Sequence, residues 1–179
     1  MAHGGLAPRA VLIGPPGSGK STVAKALARL WAVERRDTDS DIEERAGKPI
    51  AEIFVDDGEA RFRELERDAV GSALTEHGGV LALGGGAILA PETQQRLEAY
   101  AASGGTVVFL DVTLAAAAPR VGLNTSRPLL MGNPRRQWLD LMAARRPIYE
   151  RLATVTVLTD KTSPTQVAAQ IDAAIHVAG

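Results

Sequence analysis

The sequence predicts an α/β domain built on a mainly parallel sheet of five strands. Short apolar runs alternate with amphipathic stretches along all 179 residues, an order that forces each strand to cross over through a helix. The runs Val11–Ile13 and Thr106–Leu110 are continuously apolar or β-branched, as in strands covered on both faces. The first of them leads directly into GPPGSGKS, Gly14 to Ser21, which fits the phosphate-binding pattern Gly-x-x-x-x-Gly-Lys-Ser/Thr between a strand and a helix.

The elements follow in order. After the apolar run Ala10–Ile13, a helix is expected from about Gly19 to Ala32, with Val23, Leu27, Leu30 and Trp31 on one face. Val33–Thr38 reads as a strand whose polar Glu34, Arg35 and Arg36 suit a sheet edge. Asp39 or Ser40 caps a short helix through Arg45, with acidic residues in its first turn, and Gly47 ends it. Pro49 opens a helix over Ile50–Val55, and Asp57-Gly58 marks a turn. A longer helix spans about Gly58–Glu76, with Phe62, Leu65, Ala69 and Ala73 as its inner stripe, and places His77 at its C-terminus. Gly79–Leu83 is a strand ending in Gly84-Gly85-Gly86. Pro91 opens a helix to about Ala102, Thr106–Leu110 is a strand, and Leu114–Ala118 a short Ala-rich helix. Residues 119–133 show little periodicity, and their length suggests a functional lid. A helix over Arg135–Leu152, a strand over Thr154–Leu158 and a helix from Pro164, with Val167, Ile171 and Ile175 at four-residue spacing, complete the chain.

Composition narrows the function classes. The chain is 45% hydrophobic and 23% charged, as in soluble globular proteins, and its length fits one domain, 1–179, with residues 1–8 as a flexible lead-in. It has no cysteine, which excludes disulfides and thiolate metal sites. A net charge of −1 gives no general attraction to nucleic acid or anionic membrane. No apolar run nears a membrane span, and the first ten residues lack a signal peptide's apolar core. The expectation is a cytoplasmic protein, monomeric on the strength of its small size and ordinary surface.

The loop carries the chemistry. Gly14, Gly17 and Gly19 permit unusual dihedrals and close approach of phosphate, and the loop opens onto a helix N-terminus that favours anions. Gly17, Ser18, Gly19, Lys20, Ser21 and Thr22 are its candidate phosphate-side residues. Lys20 can bridge β- and γ-phosphates and the Ser21 hydroxyl can ligate magnesium.

Phosphoryl transfer also needs a metal carboxylate, cations for developing charge and a grip on the acceptor. Asp111, closing an apolar strand, is one candidate carboxylate. Asp37 and Asp39 are its rivals, placed two apart so that on a strand they face the same side; helix capping is the alternative use for them. Arg63, flanked by Glu59 and Glu66, reads equally as a surface ion-pair row. Gly84-Gly85-Gly86 is either a sharp turn or a set of exposed amides. Arg127, Arg145 and Arg146 offer bidentate guanidiniums.

In order and spacing these pieces resemble the shikimate kinases, small nucleoside-monophosphate-kinase-like phosphate-loop proteins. The matching segments are GPPGSGKS (14–21), DTDSDIEE (37–44), GEARFRELE (58–66), LGGGA (83–87), NTSRPLL (124–130) and MAARRPIY (142–149). The resemblance implies transfer of the ATP γ-phosphoryl group to the 3-hydroxyl of shikimate, a three-layer α/β/α fold with sheet order 2-3-1-4-5, and a mobile lid. By it, Lys20 and Ser21 match the loop lysine and magnesium hydroxyl, Asp37 the metal-associated carboxylate, and Asp39 the residue that holds substrate hydroxyls and accepts a proton. Arg63 and Arg145 match carboxylate-binding arginines, with Arg146 a neighbouring candidate. Gly84, Gly85 and Gly86 match the substrate-side glycines. Arg127 matches a catalytic lid arginine that reaches the phosphates, and Arg120 one that packs on adenine. The resemblance also makes Asp111 a structural strand-end residue. ATP and Mg²⁺ are the implied co-substrate and metal, and shikimate the small-molecule partner.

Two rivals stand beside this reading. A kinase of gluconate or a nucleoside monophosphate shares the fold, but a second base needs a stacking site, and the chain has only two Trp, two Tyr and three Phe. A non-catalytic ATP-dependent switch would need no acceptor pocket. Clustering of Asp39, Arg63 and Arg145 around one cavity separates it from an enzyme.

Overall fold

A computed structural model describes residues 5–122 and 132–178. Five strands form one sheet: β1 (Ala10–Ile13), β2 (Arg35–Asp37), β3 (Val80–Ala82), β4 (Val107–Asp111) and β5 (Val155–Leu158). Their order is β2-β3-β1-β4-β5, and every pairing is parallel. The eight α-helices among the described residues are α1 (Lys20–Trp31), α2 (Thr38–Ala46), α3 (Ile50–Asp56), α4 (Glu59–Glu76), α5 (Pro91–Ala102), α6 (Leu114–Arg120), α7 (Pro134–Leu152) and α8 (Pro164–Ala178).

The pleat divides the apolar residues between two faces. Val11, Ile13, Leu81, Leu83, Val107 and Phe109 pack with residues of α4, α5 and α7. Ala10, Leu12, Val80, Ala82, Val108 and Leu110 pack with α1 and α8. Period-two alternation thus sends neighbouring residues of one strand into opposite cores, which gives three layers. A smaller cluster of Ile42, Ile53, Phe62, Leu65 and Ala69 joins α2, α3 and α4 beside the sheet.

Some sequence expectations shift. In α1 the buried residues are Val23, Ala24, Leu27 and Ala28, whereas Leu30 is 53% exposed. The alanines let α1 lie close to the sheet and turn Leu30 outward. The cap of α2 is Asp37, not Asp39 or Ser40; its carboxylate accepts the Asp39 N–H at 2.9 Å. A single 3₁₀ turn, Ala87–Leu89, follows the glycine triplet. The Ala-rich helix runs on to Arg120. Of the lid expected at 119–133, residues 123–131, including Arg127, lie outside the described residues; so do residues 1–4 of the lead-in. No helix among the described residues is long and apolar enough to cross a membrane.

Candidate active site

The candidate groups among the described residues gather at the carboxyl ends of β1, β2, β3 and β4, where ligands of open α/β sheets bind. The phosphate loop leaves β1 at Ile13 and enters α1 through Gly19, whose φ of 87° is a left-handed conformation that a side chain would strain. No side chain caps α1, so its first N–H groups stay available to an anion. Lys20 folds back over the loop: Nζ donates to the carbonyls of Gly14 at 2.7 Å and Pro15 at 3.1 Å. Burial pushes its pKa down to about 8, against the raising influence of Asp39 and Asp37.

Ser21 donates its hydroxyl to Asp37 Oδ2 at 3.1 Å. Asp37 therefore does two things at once, capping α2 through Oδ1 and meeting the loop hydroxyl through Oδ2. Asp39 sits in the first turn of α2 rather than on the strand, so strand alternation is not what aims it. The tight β2-to-α2 turn does this instead. Burial, with Asp37 and then Glu66 nearby, pushes the Asp39 pKa up to about 6, while Lys20 opposes the shift. A cavity of about 450 Å³ is shared by Lys20, Ser21, Asp37, Asp39, Gly85 and Arg120, among others.

The glycine triplet forms the floor beside it. A Cβ on Gly84 would lie 2.5 Å from Asp39 Oδ1, and one on Gly86 would lie 2.7 Å from Arg63 Nη1 and 3.2 Å from Arg145 Nη2. A methyl group at either glycine would occupy the space that the ends of these three charged side chains use. The turn is pinned from behind: the Gly84 N–H donates to Thr38 Oγ1 at 3.2 Å, and the buried Tyr149 donates its hydroxyl to the Gly85 carbonyl at 2.7 Å.

Arg145 and Arg146, one step apart on α7, diverge as helix geometry demands. Arg146 forks onto Asp111, with both N–O distances 2.9 Å, and so is occupied away from the glycines. Asp111 also accepts the Val112 N–H at 2.8 Å. Arg63 donates to Glu66 Oε1 at 2.7 Å and lies 3.6 Å from Glu59. Glu66 is 3% exposed. Its spacing from Arg63 is visible in the sequence, but its burial is set by the α2–α4 packing and is not. Burial raises the Glu66 pKa, and Arg63 opposes that. Arg120 donates to the Gly17 carbonyl at 2.9 Å and to the Thr159 carbonyl at 3.0 Å.

The family model for shikimate kinase matches residues 16–176. The chain belongs to the shikimate kinase family. It is 55% identical over 168 residues to a shikimate kinase of Salinispora arenicola, covering 94% of this chain and 98% of that one. To a shikimate kinase of Thermobifida fusca it is 52% identical over 172 residues, 96% and 97% of the two chains. Among solved structures, shikimate kinase from Acinetobacter baumannii in complex with shikimate superposes with a TM-score of 0.86 at 32% identity, covering 99% of this chain and 97% of that one. A gluconokinase from Sinorhizobium meliloti reaches a TM-score of 0.56 at 19% identity over 96% and 97% of the chains; that likeness extends to the fold alone. As a member of the shikimate kinase family the chain is an ATP-dependent small-molecule kinase that transfers phosphate to shikimate.

Proposed function

We propose that the γ-phosphoryl group of ATP passes to the 3-hydroxyl of shikimate across the space between Lys20 and the glycine turn. The observation that carries this assignment is the convergence of Asp39, Arg63 and Arg145 on Gly84 and Gly86, next to the cavity that holds Lys20. Two guanidiniums 3.2 Å or less from one glycine's Cβ position make a forked receptor for a carboxylate. Asp39, on the Lys20 side of them, meets the ring hydroxyls.

In this reading the triphosphate lies on the uncapped N-terminus of α1, with Gly17, Ser18, Gly19 and Thr22 supporting it and Arg120 on the adenine side. Lys20 leaves the Gly14 and Pro15 carbonyls for the β- and γ-phosphates. Ser21 and Asp37 suit Mg²⁺, since a hydroxyl and one carboxylate are the few protein oxygens that ion takes when phosphates and waters complete its shell. Among the described residues no group of three or more acidic or histidine side chains could cage a metal alone. When bound, the ion neutralises phosphate charge.

As the acceptor oxygen bonds to the γ-phosphorus, the bond from that phosphorus to the bridging oxygen breaks and ADP leaves. The hydroxyl proton goes to Asp39 and then to solvent. Lys20, the α1 N-terminus and Arg127 balance the charge. Positioning and charge placement supply most of the acceleration in such transfers. The protein acts as a cytoplasmic monomer. A coupled assay of ADP release tests the reading, with ³¹P NMR of the product. Shikimate-dependent ADP formation with phosphate on the 3-oxygen is expected; shikimate-independent hydrolysis would reject it.

A further inference from the structure

The phosphate loop presents four consecutive carbonyls to side-chain donors of two kinds. Gly14 and Pro15 are held by Lys20 Nζ, a group from the loop's own helix. Gly17 is held by Arg120 at the end of α6. The fourth, Pro16, accepts from the indole Nε1 of Trp138 at 2.9 Å. Trp138 lies on the second turn of α7, 122 positions away, and only 6% of it is exposed. An indole has one donor and no acceptor, so this bond is the only use for its N–H.

We propose that Trp138 is a positioning residue for the nucleotide phosphates, acting through the Pro16 carbonyl. This rests on the assignment of the triphosphate to the loop. Lys20 must give up its carbonyls to meet phosphate, whereas Trp138 and Arg120 stay outside the nest and hold its outer turn as Lys20 departs. The ring itself packs in the core on the α7 side of the sheet, so the N–H is fixed by buried aromatic surface rather than by a mobile arm. Pro15 and Pro16 lack N–H groups; the loop's own bond runs from the Ser18 N–H to the Pro15 carbonyl at 3.2 Å, and the Pro16 carbonyl is held by the donor from α7.

The consequence is specific to the nucleotide. Trp138→Phe keeps most of the packing and removes the N–H. It is expected to raise the KM for ATP about 3- to 10-fold, the scale of one hydrogen bond, with the KM for shikimate within 2-fold. A merely structural role would move both constants together or neither. A second readout leaves residue 138 intact: in Trp31→Phe, whose ring sits against Arg9 and Asp172 away from the loop, Trp138 is the sole tryptophan, and adding Mg-ADP should change its emission. Lys20→Met is the control for the underlying assignment. If Lys20→Met leaves the KM for ATP unchanged, the nucleotide is not on the loop and both claims fall. If Lys20→Met weakens ATP but Trp138→Phe does not, or the Trp138 emission ignores Mg-ADP, the positioning role alone is overturned.

Discussion

Arg146 grips Asp111 with both arms of its guanidinium at 2.9 Å, which leaves its neighbour Arg145 as the α7 arginine that reaches the glycine turn. The two residues should therefore fail differently. Arg145→Ala is expected to raise the KM for shikimate about 30-fold or more through a lost charge-assisted pair. Arg146→Ala should leave that constant within about 3-fold and lower stability instead. Its side chain is 38% exposed, so solvent screening limits the loss to about 1 kcal/mol. Steady-state kinetics and thermal melting of the two variants check this.

Gly86→Ala would put a methyl group 2.7 Å from Arg63 Nη1. The far ends of Arg63 and Arg145 can swing away, so the protein should stay folded. The expected result is a rise of about tenfold in the KM for shikimate with the melting temperature within a few degrees. An unchanged KM would show that neither guanidinium needs its observed place.

Asp39→Asn should cost about 10²- to 10⁴-fold in kcat if the carboxylate takes the hydroxyl proton, while the nucleotide-free protein becomes more stable at pH 7. The sign follows from linkage. Burial raises the folded pKa from 3.8 to about 6, so between those values the folded chain binds more protons than the unfolded one. This group's contribution to stability then falls as pH rises through that window, and its ionisation is a full cost above it. Denaturant melts of wild type and Asp39→Asn from pH 4 to 7 should diverge with rising pH. Parallel curves would contradict the burial account.

Glu66→Gln keeps the shape of the side chain that holds Arg63 at 2.7 Å but removes its charge. Burial already disfavours the charged form, so stability should change by less than about 1 kcal/mol. The less restrained Arg63 should raise the KM for shikimate about 2- to 5-fold, with the KM for ATP unaffected.

Particular residues show which parts of this were legible in the sequence. The buried strands β1 and β4 are unmistakable as apolar runs, and the polar Arg35 and Arg36 mark β2 as an edge, where the structure puts it. The face of α1 is only partly legible: large side chains point to Leu30, but close helix–sheet packing prefers the small Ala24 and Ala28 and leaves Leu30 outside. For Asp37 and Asp39 the sequence leaves strand alternation and helix capping both open; β2 ends at Asp37, which caps α2, and the turn into α2 aims Asp39. Glu66, Tyr149 and Trp138 serve the site through burial or contacts distant in sequence, which no local periodicity encodes.

The most direct test of the shared pocket is the pair of Michaelis constants in Arg63→Ala. The arrangement predicts a KM for shikimate raised at least 30-fold with that for ATP changed less than 3-fold. Equal changes in both constants would contradict it.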